Sequence, residues 1–432
     1  SLASIQLAGT SPDEARKFYS HLYHSLTQPR DRTGDNPEWE SSAPFYDDHY
    51  TLWDTWKTLF PLLAIIQPET VRGNVSSLID RWKHHGYAAT AFIQGKEFKV
   101  GQGGDEVDNI IADAYAKKIP GIDWDEAYQV LQSNAETART ENYRAHGYVS
   151  VEDKYADRRR MKSGSGTIAF AYNDYCVAQV AKGLGKTNDY LRYLGRAGNW
   201  TNVWDASLED GGFKGFVRSR HQDGSFSATP ARDGYNQDFY EGTCWIYSYG
   251  IPQDVPGMIA AMGGRKRFIE RLTFALENNL IDFSNEPSFM TLWWFDAVGR
   301  PDLASRWADR LRMLYDERGC PGDDDSGAMA SLYVFLDAGI FPVAGQDIYY
   351  LHGPRVGRVG FQMPNGKTFT IVGKNVSDKN IYIQSVMLNG QPLNKTCIHH
   401  ADIVGGGTLE FVMGPNPSAW GQTEDTVAQI RN

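Results

Sequence analysis

The sequence predicts a mostly helical protein, a toroid of paired helices followed by a small antiparallel β domain. Three observations predict it. Over the first 340 or so of the 432 residues, apolar side chains recur at three- and four-residue spacing, the period of amphipathic helices. The segments joining these stretches are rich in glycine and aromatic residues, as expected where paired helices pack concentrically and their loops converge on one end. From Phe341-Pro342 onward the period changes to short alternating runs separated by turn signals.

In chain order, the spacing predicts helices over Asp13–Leu26, Thr51–Ile66, Val75–His85, Glu106–Ala116 and Trp124–Glu136. Further helices are predicted over Gly166–Leu184, Thr187–Trp200, Val255–Met262, Arg265–Glu277 and Pro301–Leu314. Thr187-Asn-Asp and Ser76 read as capping signals. Strands are predicted over Gly357–Met363, Thr368–Val372, Ile381–Leu388 and Thr408–Met413. Asn389-Gly390 between apolar runs is a strong hairpin signal. The expected boundaries are 1–344 for the helical domain and 345–432 for the β domain.

Charge narrows the function. Lys and Arg total 43 against 53 Asp and Glu, a net charge of −10. That balance argues against nucleic-acid binding, which needs clustered cations. No apolar run approaches the ~18 residues of a membrane span. The 12 Trp, 23 Tyr and 20 Phe suit either a large core or sugar binding, because aromatic faces stack on C–H surfaces while polar edges hydrogen-bond. Four cysteines (176, 244, 320, 397) without a CxxC spacing read as buried thiols, not as a zinc site. Sequons at Asn74, Asn199, Asn375 and Asn394 lean towards the secretory pathway, and the start at Ser1-Leu2-Ala3 reads as a processed or trimmed product.

Five segments carry candidate chemistry. Pro321-Gly-Asp-Asp-Asp-Ser-Gly327 sets three carboxylates side by side before an apolar helix. Their mutual repulsion suits solvated groups, a cation site or a base with a supporting acid; an exposed acidic turn or helix cap is the structural alternative. In Phe239-Tyr-Glu-Gly-Thr-Cys-Trp-Ile-Tyr247, Glu241 sits among four aromatics, a setting that keeps a carboxyl protonated as a general acid requires. A surface Glu at a helix start is the plainer reading. Asn285-Glu286 offers hard oxygen ligands suited to calcium, and Pro287 is expected to keep Glu286 out of a helix. Trp53-Asp54 pairs a stacking ring with a carboxylate that can bind two sugar hydroxyls, or caps a helix. Gly103-Gly-Asp-Glu106 is an acidic glycine loop opening a helix, for a ligand or simply as a cap.

Taken in this order, the segments resemble glycoside hydrolase family 92, the calcium-dependent exo-acting α-mannosidases. The matching stretches are Leu52-Trp-Asp-Thr55, Gly104-Asp105 running into Ile111–Tyr115, Glu241-Gly with Trp245 and Tyr247, Asn285-Glu-Pro-Ser288, and Pro321–Gly327. The tail from Leu393 to Gly414 is similar to the family's closing β segment. The resemblance implies an (α/α)6 toroid lacking its first helices. It also implies a missing N-terminal β-sandwich, expected as a companion fragment of the same protein.

By the same resemblance, Glu241 is the general acid and Asp325 the general base, with Asp323 assisting. The reaction inverts configuration, for which the two carboxyls stand roughly 6.5–9.5 Å apart around a water. Asn285, Glu286 and a backbone carbonyl assigned to Cys244 would hold Ca2+. Trp53, Asp54, Asp105 and Asp282 would bind substrate, a mannose-containing glycan. Ile246, Gln253 and Ala328 depart from residues common in the family, as does Asp282-Phe-Ser before Asn285. That last departure bears on the leaving-group side. The competing readings are a metal-independent toroid hydrolase acting on another sugar, and a non-catalytic carbohydrate-binding fragment.

Overall fold

The computed structural model describes residues 2–50, 52–98, 102–154 and 161–422. The tail 423–432 of the expected β domain and Thr51 of an expected helix lie outside the described residues. The chain divides into two compact units that cut across the boundary expected at 344/345.

One unit comprises Ser1–Gln28, Asp54–Val71 and Phe289–Asn432. Its helices include Pro12–His24, Leu59–Ile66, Pro301–Arg312 and Ala328–Ala338. Every residue of Ala328–Ala338 is buried, the polar Ser331 and Asp337 included, so this helix shows little amphipathic period. The unit also holds a six-stranded sheet in the order Ile5–Ala8, Arg358–Gln362, Thr368–Lys374, Gly407–Gly414, Tyr382–Leu388, Gln391–Pro392. Val359, Ile371 and Leu409 lie across from one another and are buried. Burying these three on one face ties the register, because a one-residue slip would turn them to the other face. Asn389 and Gly390 both have positive φ, 51° and 78°, and close the hairpin from Leu388 to Gln391.

One expectation is corrected here, and one pairing is new. The sheet is mixed: Thr368–Lys374 runs parallel to Gly407–Gly414. The N-terminal strand Ile5–Ala8 pairs with Arg358–Gln362, a long-range pairing that no local pattern encodes.

The other unit comprises Pro29–Trp53 and Arg72–Ser288. Its central helix, Ser163–Gly183, is flanked by Glu106–Ala116 and Thr187–Ala197. It also contains a hairpin that the helical period hides, Trp204–Asp210 with Phe213–Val217. The signal was present: Gly211-Gly212 turns with φ of 59° and 77°. The helix expected at Val75 begins at Pro68, so Ser76 lies inside it and does not cap it. Among the described residues no helix is long and apolar enough to cross a membrane. The four cysteines are free thiols, as expected, with Cys320 the most accessible.

Candidate active site

The first group of candidate residues belongs to the unit holding Arg72–Ser288. Glu241 leads into the short helix Cys244–Tyr247 and is half-buried. Its backbone φ is 46°, a left-handed conformation that costs a non-glycine residue roughly 1–3 kcal/mol and persists only where surroundings enforce it. The Asn236 side chain enforces it, its Oδ1 accepting the Glu241 N–H at 3.0 Å. The Glu241 carboxylate in turn accepts a hydrogen bond from Asn285 Nδ2 at 3.0 Å. The apolar enclosure expected around Glu241 is therefore only partial, and a side-chain amide faces the carboxylate.

Asn285 uses its other amide atom as well: Oδ1 accepts the Glu286 N–H at 3.0 Å. Glu286 opens the 3-10 turn Glu286–Ser288 and is 0% exposed. This overturns the expectation that Pro287 excludes Glu286 from helical structure. Proline fits the second position of a tight turn, where no N–H is required of it. A side-chain amide oxygen and a buried carboxylate in adjacent positions form a hard-oxygen donor set of the kind that suits calcium. Cys244 does not fit such a set. Its carbonyl accepts both the Ser248 N–H (3.1 Å) and the Ser248 hydroxyl (2.6 Å), so the helix consumes it. Burial pushes the Cys244 thiol up to about 12.

Trp53 is 5% exposed and meets the Tyr240 ring edge-on at 5.2 Å. The Gly103 backbone approaches so closely that a Cβ there would stand 2.3 Å from Trp53 Cδ1. Only glycine fits. Glu106 braces this loop, accepting the Gly104 N–H at 2.7 Å and the Thr90 hydroxyl at 2.8 Å. Burial holds the Glu106 carboxyl above its usual range.

Asp105, expected to contact substrate, lies beside a buried arginine. Its carboxylate lies 3.4 Å from Arg139 Nε, and Arg139 also pairs with Asp108 and Asp174 at zero exposure. Burial works against the Arg139 charge, but the three carboxylates outweigh it and hold the guanidinium protonated above the usual range. Sequence reasoning missed Arg139, whose partners are dispersed along the chain. Asp282 is exposed, with Oδ1 accepting from the Ser284 N–H and hydroxyl.

The second group belongs to the unit holding Phe289–Asn432. Asp325, Ser326 and Gly327 have φ of 45°, 62° and 93°, a left-handed run before the buried helix Ala328–Ala338. Of the three adjacent carboxylates, Asp324 caps this helix, its Oδ1 accepting the Ala330 N–H at 2.8 Å. Asp323 and Asp325 remain exposed. The cap thus distinguishes Asp324, turned onto the helix, from its exposed neighbours Asp323 and Asp325. Asp54, nearly buried in Leu52–Thr55, brings a carboxylate oxygen within 4.8 Å of one from Asp325.

Glu241, half-buried and held in an enforced backbone conformation beside Asn285, is a candidate general acid of the glycoside-hydrolase class. The description "Glycosyl hydrolase family 92 catalytic domain" matches residues 1–415, and the chain belongs to that family. An uncharacterized secreted glycosidase of Arthroderma benhamiae is 32% identical, covering 99% of this chain and 56% of the relative. A family GH92 alpha-mannosidase structure from Bacteroides thetaiotaomicron is 26% identical, with a TM-score of 0.89 over 99% of this chain and 59% of its own. A second structure from that organism, a family GH92 inverting mannosidase, is 23% identical with a TM-score of 0.86 and supports the fold. The chain thus spans a little over half the length of these relatives.

Proposed function

We propose that the protein is an exo-acting α-mannosidase that hydrolyses terminal α-mannosides with inversion of configuration, assisted by calcium and working in the secretory pathway or outside the cell. The observation that carries the reading is the pairing of Glu241 with Asn285. It joins the carboxyl at the family's acid position to the first residue of the hard-oxygen pair.

In this reading Glu241 donates a proton to the glycosidic oxygen as the C1–O bond breaks. Asp325 takes a proton from the attacking water, with Asp323 assisting, and water adds to the opposite face of C1 to yield β-mannose. The Asp54 and Asp325 oxygens are within 4.8 Å, a gap one water can span with a hydrogen bond to each. Trp53 stacks on the terminal mannose while Asp54 accepts from its hydroxyls. Asn285 and Glu286 would hold calcium, which supplies Lewis-acid orientation of the 2- and 3-hydroxyls and favours a flattened ring. The Cys244 carbonyl already accepts two hydrogen bonds from Ser248, and the Asp105 carboxylate lies beside Arg139.

The test is release of mannose from α-1,2-, α-1,3- and α-1,6-mannobiose, with the first-formed anomer read by proton NMR. β-Mannose is expected first. Glu241→Gln is expected to lower kcat by roughly 10²–10⁴-fold. Initial α-mannose would sink the inverting mechanism, and no release from any linkage would sink the activity.

A further inference from the structure

A general acid touches the oxygen that joins the two halves of its substrate. Whatever lies beside the acid therefore meets the leaving group. Among the described residues, an aromatic ring that the sequence reading did not single out lies there. Tyr235 is 50% exposed and directly precedes Asn236, whose side chain binds the Glu241 N–H. Burial, together with the nearby carboxylates of Glu241, Asp282 and Glu286, holds the Tyr235 hydroxyl above its usual range.

The loop carrying Tyr235 is built to hold it still. Gly234, at φ 90°, turns its carbonyl inward to accept the N–H groups of Gln237 (2.9 Å), Asp238 (3.0 Å) and Phe239 (3.2 Å). Such a φ is open to glycine and strained for other residues. Asn236, at φ 57°, follows and binds the Glu241 N–H. Phe239 anchors the far side, fully buried and stacked on Tyr247 at 5.3 Å. Ring and acid are thus two ends of one short, internally bonded loop. A tyrosine with only two side-chain torsions loses little entropy when it binds.

We propose that Tyr235 is a specificity-determining residue of the leaving-group subsite, and that the leaving group is a neutral pyranose stacked on its ring. This assignment rests on the mannosidase reading of the same site. A sugar ring presents C–H faces that suit an aromatic platform. A phosphate-linked leaving group would instead bring a negative charge among the carboxylates of Glu241, Asp282 and Glu286, which Coulomb repulsion disfavours.

The experiment compares wild type, Tyr235→Ala and Tyr235→Phe on the best mannobiose, on α-mannosyl fluoride and on a mannosyl phosphodiester of mannose. The fluoride has no leaving-group sugar and needs no acid. Tyr235→Ala is expected to lower kcat/KM on mannobiose about tenfold more than on the fluoride, chiefly through KM, as loss of one stacking contact implies. Tyr235→Phe is expected to restore most of that loss, since it keeps the ring. An effect acting through the hydroxyl on Asn285 and Glu241 would instead persist in Tyr235→Phe and fall on kcat, and would overturn the proposal. So would equal losses on both substrates, no loss on either, or a wild-type preference for the phosphodiester. Wild-type inactivity on all three would sink the mannosidase reading and this assignment with it, a result distinct from a changed ratio.

Discussion

Asn285 Nδ2 donates to Glu241 Oε2 at 3.0 Å, although the two residues are 44 positions apart in the chain. The same amide turns its oxygen to the Glu286 N–H, so its orientation is held from both ends. A hydrogen bond to a charged group contributes about 1.5–3 kcal/mol. Asn285→Ala is therefore expected to cut kcat on mannobiose by at least ~10-fold. Steady-state kinetics check this. An unchanged kcat would mean that the amide neither orients the acid nor assists the site.

Calcium removal is expected to abolish mannobiose hydrolysis, and adding calcium back should restore it. Glu286→Gln removes the buried carboxylate from the donor pair and should weaken calcium binding by more than tenfold, because charge dominates binding of a hard cation. Calorimetric titration of calcium into the chelator-treated protein reads this independently of catalysis. Activity indifferent to chelator would remove the metal from the mechanism.

His352 sets a pH limit on stability. Trp293 Nε1, which can only donate, points at His352 Nδ1 at 3.1 Å, while Nε2 lies 3.2 Å from the Leu336 carbonyl. The ring is thus neutral with its proton on Nε2. Burial lowers its pKa to about 3. A histidine whose folded pKa lies below its unfolded value adds stability above the unfolded pKa, near 6.5, and loses it as pH falls towards the folded value. The expected loss is up to about 1.4 kcal/mol per pH unit between those limits. Thermal midpoints recorded from pH 7 to pH 4 should fall, and His352→Gln should flatten that fall. An identical slope in the variant would clear His352 of the effect.

Of the four sequons, only Asn375 and Asn394 lie exposed. Asn74 is 0% exposed and its Oδ1 is bonded to His49 Nε2 at 2.8 Å. Asn199 Oδ1 accepts from Asn202 and packs under the turn at Gly147. Expression through a glycosylating secretory host should place glycans at Asn375 and Asn394 and leave Asn74 and Asn199 bare. Peptide mass spectrometry before and after deglycosylation reads each site. A glycan on Asn74 of correctly folded protein would contradict the packing described here.

The sequence by itself determined the helical and β textures, because both are local periods. Glu106–Ala116 and Arg265–Glu277 have the predicted bounds. It also pointed to Glu241, Asn285, Glu286 and Asp325, because carboxylates and amides beside aromatics, glycine or proline stand out in any window. It misplaced what depends on distant partners. Asp105 reads as a ligand until Arg139 appears beside it, and the Cys244 carbonyl reads as available until the helix to Ser248 consumes it. Ile5–Ala8 gives no hint that it completes a sheet more than 350 residues away in sequence. Tyr235 is one aromatic among many until its loop folds around the Gly234 carbonyl and its neighbour Asn236 binds the Glu241 N–H. The physical reason is the same throughout. Period and residue type follow from the neighbouring few positions. Which polar atom is already taken, and which remains for a substrate, depends on groups that only long-range packing brings within 3 Å or so.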